Sequence, residues 1–385
     1  MNLLFISNDV SLCLPDSPVC SRMRAYAEEV AKTGGTLHII TRAKHRYEGG
    51  EGPLRIYGVR IPKLLLPWLL ARRALSLIRA HGIDVVSAQD PFEHGLAASW
   101  AVRGTSAKLH LQVHTDYLSP WFTREAIFRS PRVDMPFLNR IRIRIADRVV
   151  RRAQGIRVVS ERVKESMVKR YGEAIPTPAV LPLPVRQDVP PKTELPPRPF
   201  TFTLIAVSRL EPEKRIPDLL AVIRRLKDAY LSLGLVIIGD GRERRRAERL
   251  AEKWGIADRV MFLGWRDDAW SLMQDANAFI QASAYEGYGA TLVEAALAGV
   301  PIVTSDVGVV GEVFVGYEHV FAAPVGDPSN LAALVAQLIE DPQARTLHSL
   351  EGRRAALAHL STAKNTPADV IGDIARLVAP NPPVI

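Results

Sequence analysis

The run Glu286-Gly287-Tyr288-Gly289-Ala290-Thr291-Leu292-Val293-Glu294-Ala295-Ala296-Leu297-Ala298-Gly299-Val300-Pro301 joins a glycine-bearing loop to a helix expected at Thr291–Ala298. Gly287 and Gly289 let the backbone come close to a ligand. The helix N-terminus offers free N–H groups and the positive end of a dipole, which together make an anion site. Two glutamates stand eight positions apart around it, Glu286 before the helix and Glu294 inside it. Glu294 therefore lies at least one turn, about 5.4 Å, beyond the site. Carboxylates on either side of a diphosphate can hold hydroxyls at its two ends. A ribose–diphosphate–sugar ligand has that layout. The alternative is a helix N-terminus whose acidic neighbour favours the dipole.

Outward from this run, short apolar strands alternate with helices. Strands are expected at Leu3–Ser7, Leu37–Thr41, Asp84–Ser87, Leu109–His114 and Ile156–Ser160, with a helix at Arg22–Lys32. Nine prolines between Pro176 and Pro199 then break the pattern. Proline lacks the N–H donor and is excluded from helix interiors, so a linker or irregular crossing is expected there. Alternation restarts with strands at Phe202–Ser208, Leu233–Ile238, Val260–Leu263, Ala278–Gln281 and Pro301–Thr304. Helices are expected at Pro217–Ala229, Asn330–Ile339 and Pro367–Leu377, the last capped by Thr366. Such alternation predicts βαβ units and parallel sheets. The expected organisation is a domain at 1–185, a Pro-rich linker at 186–199 and a second domain at 200–365. A helix and tail at 366–385 can cross back to the first domain.

Composition bounds the reading. A chain of 385 residues fits two domains, and 47% hydrophobic with 24% charged residues is ordinary for a globular protein. Disordered, collagenous and disulfide-stapled classes are excluded. Cys13 and Cys20 cannot make a disulfide framework, and without nearby histidines they make a poor zinc site. A reducing compartment, the cytoplasm, is expected. The N-terminus carries no basic leader, so no signal peptide is expected. The apolar stretch Leu64–Ala71 is broken by Pro67 and is far short of the ~20 residues a membrane span needs. The chain holds 50 Lys plus Arg against 41 Asp plus Glu, a net charge of +9. That excess suits nucleic acid, an anionic membrane surface or a phosphate-bearing substrate.

Two further features could carry chemistry. In Ser208-Arg209-Leu210-Glu211-Pro212-Glu213-Lys214-Arg215, Arg209 and Lys214 leave a strand end on one loop. Arginine offers phosphate a planar fork and lysine a point charge. The alternative is a solvated charged turn. His114 ends a strand and is followed by Thr115-Asp116, which suits a cleft position or equally a satisfied core or loop histidine.

Taken together, these residues resemble family 4 of the retaining glycosyltransferases, which have the GT-B fold. Arg209 and Lys214 match its cation pair. Gly239-Asp240-Gly241 matches its turn, and Val260-Met261-Phe262-Leu263-Gly264 its strand. Glu286 and Glu294 match its two-glutamate motif, and Gly299-Val300-Pro301 the turn after it. Ser305-Asp306-Val307-Gly308 and Glu312 fit downstream, so the match covers most of 200–345. The first half fits more weakly, through Gly34–Thr41, Asp90-Pro91-Phe92-Glu93 and His114. Three departures stand out. The loop Pro15–Arg22 lacks the usual Gly-Gly pair, Arg215 replaces a glycine, and Val309 stands where a second glycine often follows Gly308.

The resemblance implies an α/β protein of GT-B architecture: two Rossmann-like, doubly wound parallel-sheet domains facing a central cleft. It implies a retaining, hexosyltransferase-type enzyme that needs no metal or other cofactor and uses a nucleotide-diphosphate sugar. Arg209 and Lys214 would stabilise the leaving diphosphate, Glu286 would hold the transferred sugar, and His114 would touch that sugar near its 6-hydroxyl. Glu294 would take the ribose hydroxyls. Gly287, Tyr288, Gly289, Ala290 and Thr291 would line the phosphates through backbone N–H groups. Gly239 and Phe262 would complete the donor pocket. No side chain is assigned as general base. The competing readings are a nucleotide-sugar epimerase of the same fold, which usually lacks the eight-spaced glutamates, and a non-catalytic GT-B scaffold subunit.

Between Arg140 and Arg170 there are eleven basic residues against Asp147, Glu161 and Glu165, a net +8. With Leu64–Leu70, Trp68, Lys63 and Arg72, this segment suits an anionic membrane and a lipid-linked or glycan acceptor, as in glycolipid or polysaccharide synthesis. Peripheral attachment to the inner membrane face follows. The alternative is a solvated helix face. Nucleic acid is not expected, because no interleaved aromatics or binding module occur.

Overall fold

The computed structural model describes residues 1–62, 65–124 and 136–379. The described residues fall into two compact units. One draws on Met1–Leu118, Ser130–Pro182 and Lys364–Ile385, the other on Ser119–Arg129 and Leu183–Ala363.

The first unit is built on β1 (Leu3–Ser7), β2 (Leu37–Arg42), β3 (Tyr47–Gly49), β4 (Leu54–Val59), β5 (Val85–Ala88), β6 (Lys108–Val113), β7 (Gly155–Val158) and β8 (Ala179–Val180). Their order is β3-β4-β2-β1-β5-β6-β7-β8. Among the described residues, only the β3–β4 pairing is antiparallel. Helices cover both faces of a parallel sheet, so its central strands must be apolar throughout. Leu3–Ile6 and Val85–Val86 meet that demand and are fully buried. The chain builds outward from β1 on one side and then crosses to β5, leaving a switch point between β1 and β5. Loops at the carboxyl edge of such a point are the usual ligand positions.

Two elements extend what the sequence predicts. The helix Pro18–Ala31 starts four residues before Arg22, because Ser17 caps it through the Cys20 N–H and Pro18 suits the first turn. Strands β3 and β4 add an edge to the sheet. The Cys13 and Cys20 thiols are both free.

The C-terminal helix Pro367–Ala375 belongs to the first unit. Thr366 and Asp369 form a reciprocal capping box. Val370, Ile371 and Ile374 pack with Leu3, Phe5, Met23 and Val30 in one apolar cluster. Asp373 meets His110 of β6 at 3.3 Å, and the other ring nitrogen of His110 meets the Ser87 hydroxyl at 2.8 Å. Ile374 is 0% exposed, so Ile374→Ala is expected to lower unfolding free energy by about 2–5 kcal/mol. Urea unfolding of the full chain checks this, and an unchanged midpoint would show that the helix contributes nothing to the core.

The second unit is a six-stranded sheet of β9 (Phe202–Val207), β10 (Leu233–Ile238), β11 (Val260–Gly264), β12 (Ala278–Gln281), β13 (Ile302–Ser305) and β14 (Phe321–Ala323). The order is β11-β10-β9-β12-β13-β14 and every pairing is parallel. The chain runs from β9 out to β11 and returns on the other side of β9 as β12. The loops after β9 and β12 therefore leave adjacent strands at the same edge, at the switch point of this unit. From Leu183 onward the Pro-rich stretch, including the linker 186–199, groups with this unit, whereas Pro176–Pro182, with β8, stays in the first. The linker makes no strand, and side chains hold it instead. Asp275 accepts from the Leu195 N–H at 3.1 Å and pairs with Lys192 at 2.8 Å and Arg198 at 3.1 Å. Gln274 donates to the Pro190 carbonyl at 2.7 Å.

Candidate functional site

The β9 and β12 loops bring together the residues that the sequence leaves 72 positions apart. The Lys214 Nζ donates to Glu286 Oε1 at 2.5 Å, and these side chains are 14% and 13% exposed. A second tie is made by the backbone, where the Ala284 N–H donates to the Glu213 carbonyl at 2.8 Å. Arg209 stands at the rim, 68% exposed and 3.4 Å from Glu213. One cation is thus held in place and the other is free to swing toward a ligand.

Glycine geometry sets the shape of these loops at two places. Gly239 has φ +134, and a Cβ there would lie 1.8 Å from the Ser208 carbonyl oxygen. The Gly-Asp-Gly turn can therefore press on the loop that carries Arg209. It is fixed there by the Leu210 N–H donating to the Asp240 carbonyl at 2.8 Å. Gly289 has φ +87 and is the N-cap of the helix Ala290–Leu297. Gly289 has no side chain to cap that helix, and the Leu292 N–H turns back to the Gly289 carbonyl at 2.9 Å, so among the described residues the Ala290 and Thr291 N–H groups are left for a ligand or solvent. Gly308 supports the loop from behind. Its Cβ position would lie 2.3 Å from the Tyr288 carbonyl, and the Val309 N–H donates to that carbonyl at 2.9 Å. Val309 thus contributes through its backbone, which explains why a side chain is tolerated where a glycine is usual. Arg215 likewise keeps the left-handed φ of +49 that a glycine would favour. Its guanidinium pairs with Asp218 at 2.7 Å and lies over the Trp121 ring at 5.3 Å.

The other residues sort by surroundings. Thr291 donates to the Gln281 Oε1 at 3.3 Å, while the Gln281 Nε2 is buried without a partner. Tyr288 is 1% exposed, and its hydroxyl meets His359 at 2.9 Å, so only its backbone faces the loop. Glu294 is half-buried on the helix, and burial pushes its carboxyl up to about 7. Phe262 stands apart. It lies on β11, two strands from β9, and packs on the apolar core.

His114 follows the end of β6 in the first unit. Burial, with Arg157 and Arg22 nearby, pushes its imidazole down to about 3, so the ring is neutral, and its Nε2 is buried without a partner. Sequence reading missed His94 at the same edge of the sheet. Asp90 accepts from the Phe92 and His94 N–H groups and pairs with the His94 ring. The i,i+4 spacing of Asp90 and His94 was the available signal.

The basic segment divides by burial and by ion pairing. Arg157 is 2% exposed and donates to the Leu181 and Pro182 carbonyls. Arg142 pairs with Glu93 at 2.9 Å, Lys164 with Glu161 at 2.9 Å and Arg170 with Asp147 at 2.8 Å. Arg140, Arg144 and Arg148 form an exposed ridge at four-residue spacing on the helix Pro136–Val149. Of the apolar patch, Leu66 and Leu70 are core residues, and Leu65 and Trp68 are each 49% exposed. Lys63 and Leu64 lie outside the described residues.

Two family models match the chain, "Glycosyltransferase Family 4" over residues 21–187 and "Glycosyl transferases group 1" over residues 192–354. A glycogen synthase of Mycobacterium tuberculosis is 27% identical over 280 residues, 72% of this chain and 59% of that protein. The lipopolysaccharide core biosynthesis glycosyltransferase LpsD of Rhizobium meliloti is 29% identical over 39% of this chain and 43% of its own length. The matches thus span about half the length of these relatives. Sucrose-phosphate synthase from Thermosynechococcus elongatus superposes with a TM-score of 0.76 at 18% identity, over 98% of this chain and 99% of that one. HepE of Anabaena, solved in complex with UDP-glucose, gives a TM-score of 0.68 at 18% identity, over 98% of each chain. With two parallel-sheet α/β units, each matched by one half of the family's description, this chain has the GT-B fold and belongs to the group 1, family 4 glycosyltransferases.

Proposed function

We propose that this protein is a retaining glycosyltransferase that moves a hexose from a nucleotide-diphosphate sugar to an acceptor. The observation that carries the reading is the Lys214–Glu286 pair, held at the β9–β12 switch point beside an uncapped helix N-terminus. Lys214 and Glu286 satisfy each other. A donor diphosphate would draw the ammonium to itself and leave the carboxylate to accept from hydroxyls of the sugar. Arg209 closes on the phosphates from the rim. As the bond between the anomeric carbon and the diphosphate oxygen breaks, charge grows on that oxygen, and fixed cations stabilise it without solvent reorganisation. No metal is needed, because two cations and a helix dipole neutralise the diphosphate. Glu294 takes the ribose hydroxyls. The loop from Gly287 to Thr291 binds phosphate through its N–H groups, with Gly239 allowing close approach, while Phe262, on the core side of β11, takes no direct part. His114, neutral, contacts the transferred sugar.

The acceptor is a glycan or lipid-linked molecule, and the protein acts at the inner membrane face as a peripheral protein. The exposed ridge of Arg140, Arg144 and Arg148, together with exposed Trp68 and Leu65, supports this. No described helix is long and apolar enough to cross a membrane. Each cation near an anionic surface contributes about 1 kcal/mol.

A screen of nucleotide sugars with the purified chain tests the reading. Release of nucleoside diphosphate, stimulated by an acceptor, is expected, with product anomers matching the donor by NMR. Tight donor binding without turnover across glycan and lipid acceptors would favour a scaffold, and inverted product would remove the retaining assignment.

A further inference from the structure

The first unit carries a second charged concavity that the proposed reaction does not use. It is an open concavity of about 420 Å³ whose polar walls include Ser99, Arg103, Thr105, Ser106, Lys108 and Arg152, with no Asp or Glu in its lining. The fold assembles it from three places. Ser99 lies in the last turns of the helix Glu93–Ala101. Arg103 to Ser106 turn the chain into β6, which Lys108 begins. Arg152 ends the turn that leads to β7. The concavity therefore sits at the amino edge of β6 and β7, whereas His114 follows the carboxyl edge. Six residues of strand, about 20 Å, separate the two.

Its chemistry is one-sided. Elsewhere in this unit, Arg142, Lys164 and Arg170 are neutralised by carboxylates. Among the described residues, Arg103, Lys108 and Arg152 have no ion pair, and Arg152 reaches only the Ser99 hydroxyl, at 3.4 Å. The walls are fixed. The Gln154 side chain accepts from the Leu109 N–H at 2.8 Å and donates to the Arg152 carbonyl at 2.9 Å. Thr105 donates to the Val102 carbonyl at 2.8 Å. Three uncompensated cations repel one another, and a multivalent oxyanion relieves that repulsion. Guanidinium forks, an ammonium and the Ser99 and Ser106 hydroxyls suit phosphate oxygens. The volume falls in the range of small-ligand pockets.

We propose that this concavity is a binding site for a phosphate group, distinct from the donor site and independent of the transferase reading. The phosphate belongs either to an anionic lipid headgroup or to a soluble phosphate compound.

The test uses the full chain at low ionic strength with two probes. One is inorganic pyrophosphate, titrated by calorimetry. The other is co-sedimentation with vesicles of phosphatidylglycerol and phosphatidylcholine, against phosphatidylcholine alone. The variant Arg103→Gln/Lys108→Gln/Arg152→Gln keeps side-chain bulk and removes the charge. Lys214→Ala subtracts pyrophosphate bound at the donor site, and Arg140→Gln/Arg144→Gln/Arg148→Gln controls for diffuse surface charge. The triple pocket variant is expected to weaken pyrophosphate or anionic-vesicle binding about tenfold while leaving UDP binding unchanged. A loss confined to pyrophosphate identifies a soluble ligand, and a loss confined to vesicles a headgroup. The site is overturned by wild-type protein that binds neither probe, by a pocket variant that binds both probes as wild type, or by a ridge variant that loses pyrophosphate binding as much as the pocket variant does. If the triple variant does not fold, Lys108→Gln alone, at an exposed position, must still weaken binding.

Discussion

Lys214→Ala is expected to lower transfer, read as nucleoside diphosphate release, by about a hundredfold or more, with the fold intact. The magnitude is that of removing one preorganised charge donor from a developing anion. Lys214 is held within 2.5 Å of Glu286, and no other cation among the described residues is placed on that carboxylate. Glu286→Gln is expected to match it, for a different reason. The amide keeps a hydrogen-bond acceptor but loses the charge that opposes Lys214 and that binds sugar hydroxyls strongly. Because the pair is mutual, the two losses should not add: the double variant should be little worse than either single one. Additive losses would mean that the residues act on separate steps. Full activity in either single variant would remove that residue from the reaction. Arg209, exposed and loosely held, should show a smaller kcat loss than Lys214 and a larger change in donor KM.

The strand positions follow closely from the sequence where a strand is buried on both faces. Leu3–Ser7, Leu233–Ile238 and Ala278–Gln281 read as uninterrupted apolar runs and occur as such. Strand β4 escaped because it is half-exposed. Leu54 and Ile56 point inward while Arg55 points out, and this short alternation, with Gly52 ahead of it, reads as a turn-rich loop. The helix Arg244–Lys253 was hidden by its charge. Only Ala247 and Ala251 are buried, so the apolar stripe is two small residues wide. At the site, motif spacing placed Arg209, Lys214, Glu286 and Glu294 on their loops and helix. It could not reveal that Lys214 and Glu286 neutralise each other, since that contact depends on β9 and β12 being neighbours. Nor could residue counting separate buried Arg157 from exposed Arg148. Charge arithmetic is blind to burial.

Glu294 supplies a test that titrates. Its carboxyl is pushed up from 4.5 to about 7 by burial, with no cation nearby to oppose the shift. The folded chain therefore holds this proton more tightly than the unfolded chain. The resulting stabilisation is fully present below pH 4.5 and is lost as pH rises through 7. At 1.36 kcal/mol per unit it amounts to roughly 3 kcal/mol as an upper figure. Glu294→Gln, always neutral, should be more stable than wild type at pH 8 and equal to it at pH 4.5, by urea unfolding. Ligand binding should run the other way. Ribose hydroxyls donate to the ionised carboxylate, so UDP affinity should rise about tenfold between pH 6 and pH 8 in the wild type. The phosphate group of UDP titrates in the same range, and Glu294→Gln carries that background alone. Equal pH slopes in the two proteins would show that Glu294 does not take the ribose. A steeper wild-type slope, paired with the stability gain of the variant at pH 8, would mean that the chain gives up stability to keep an ionisable acceptor beneath the nucleotide.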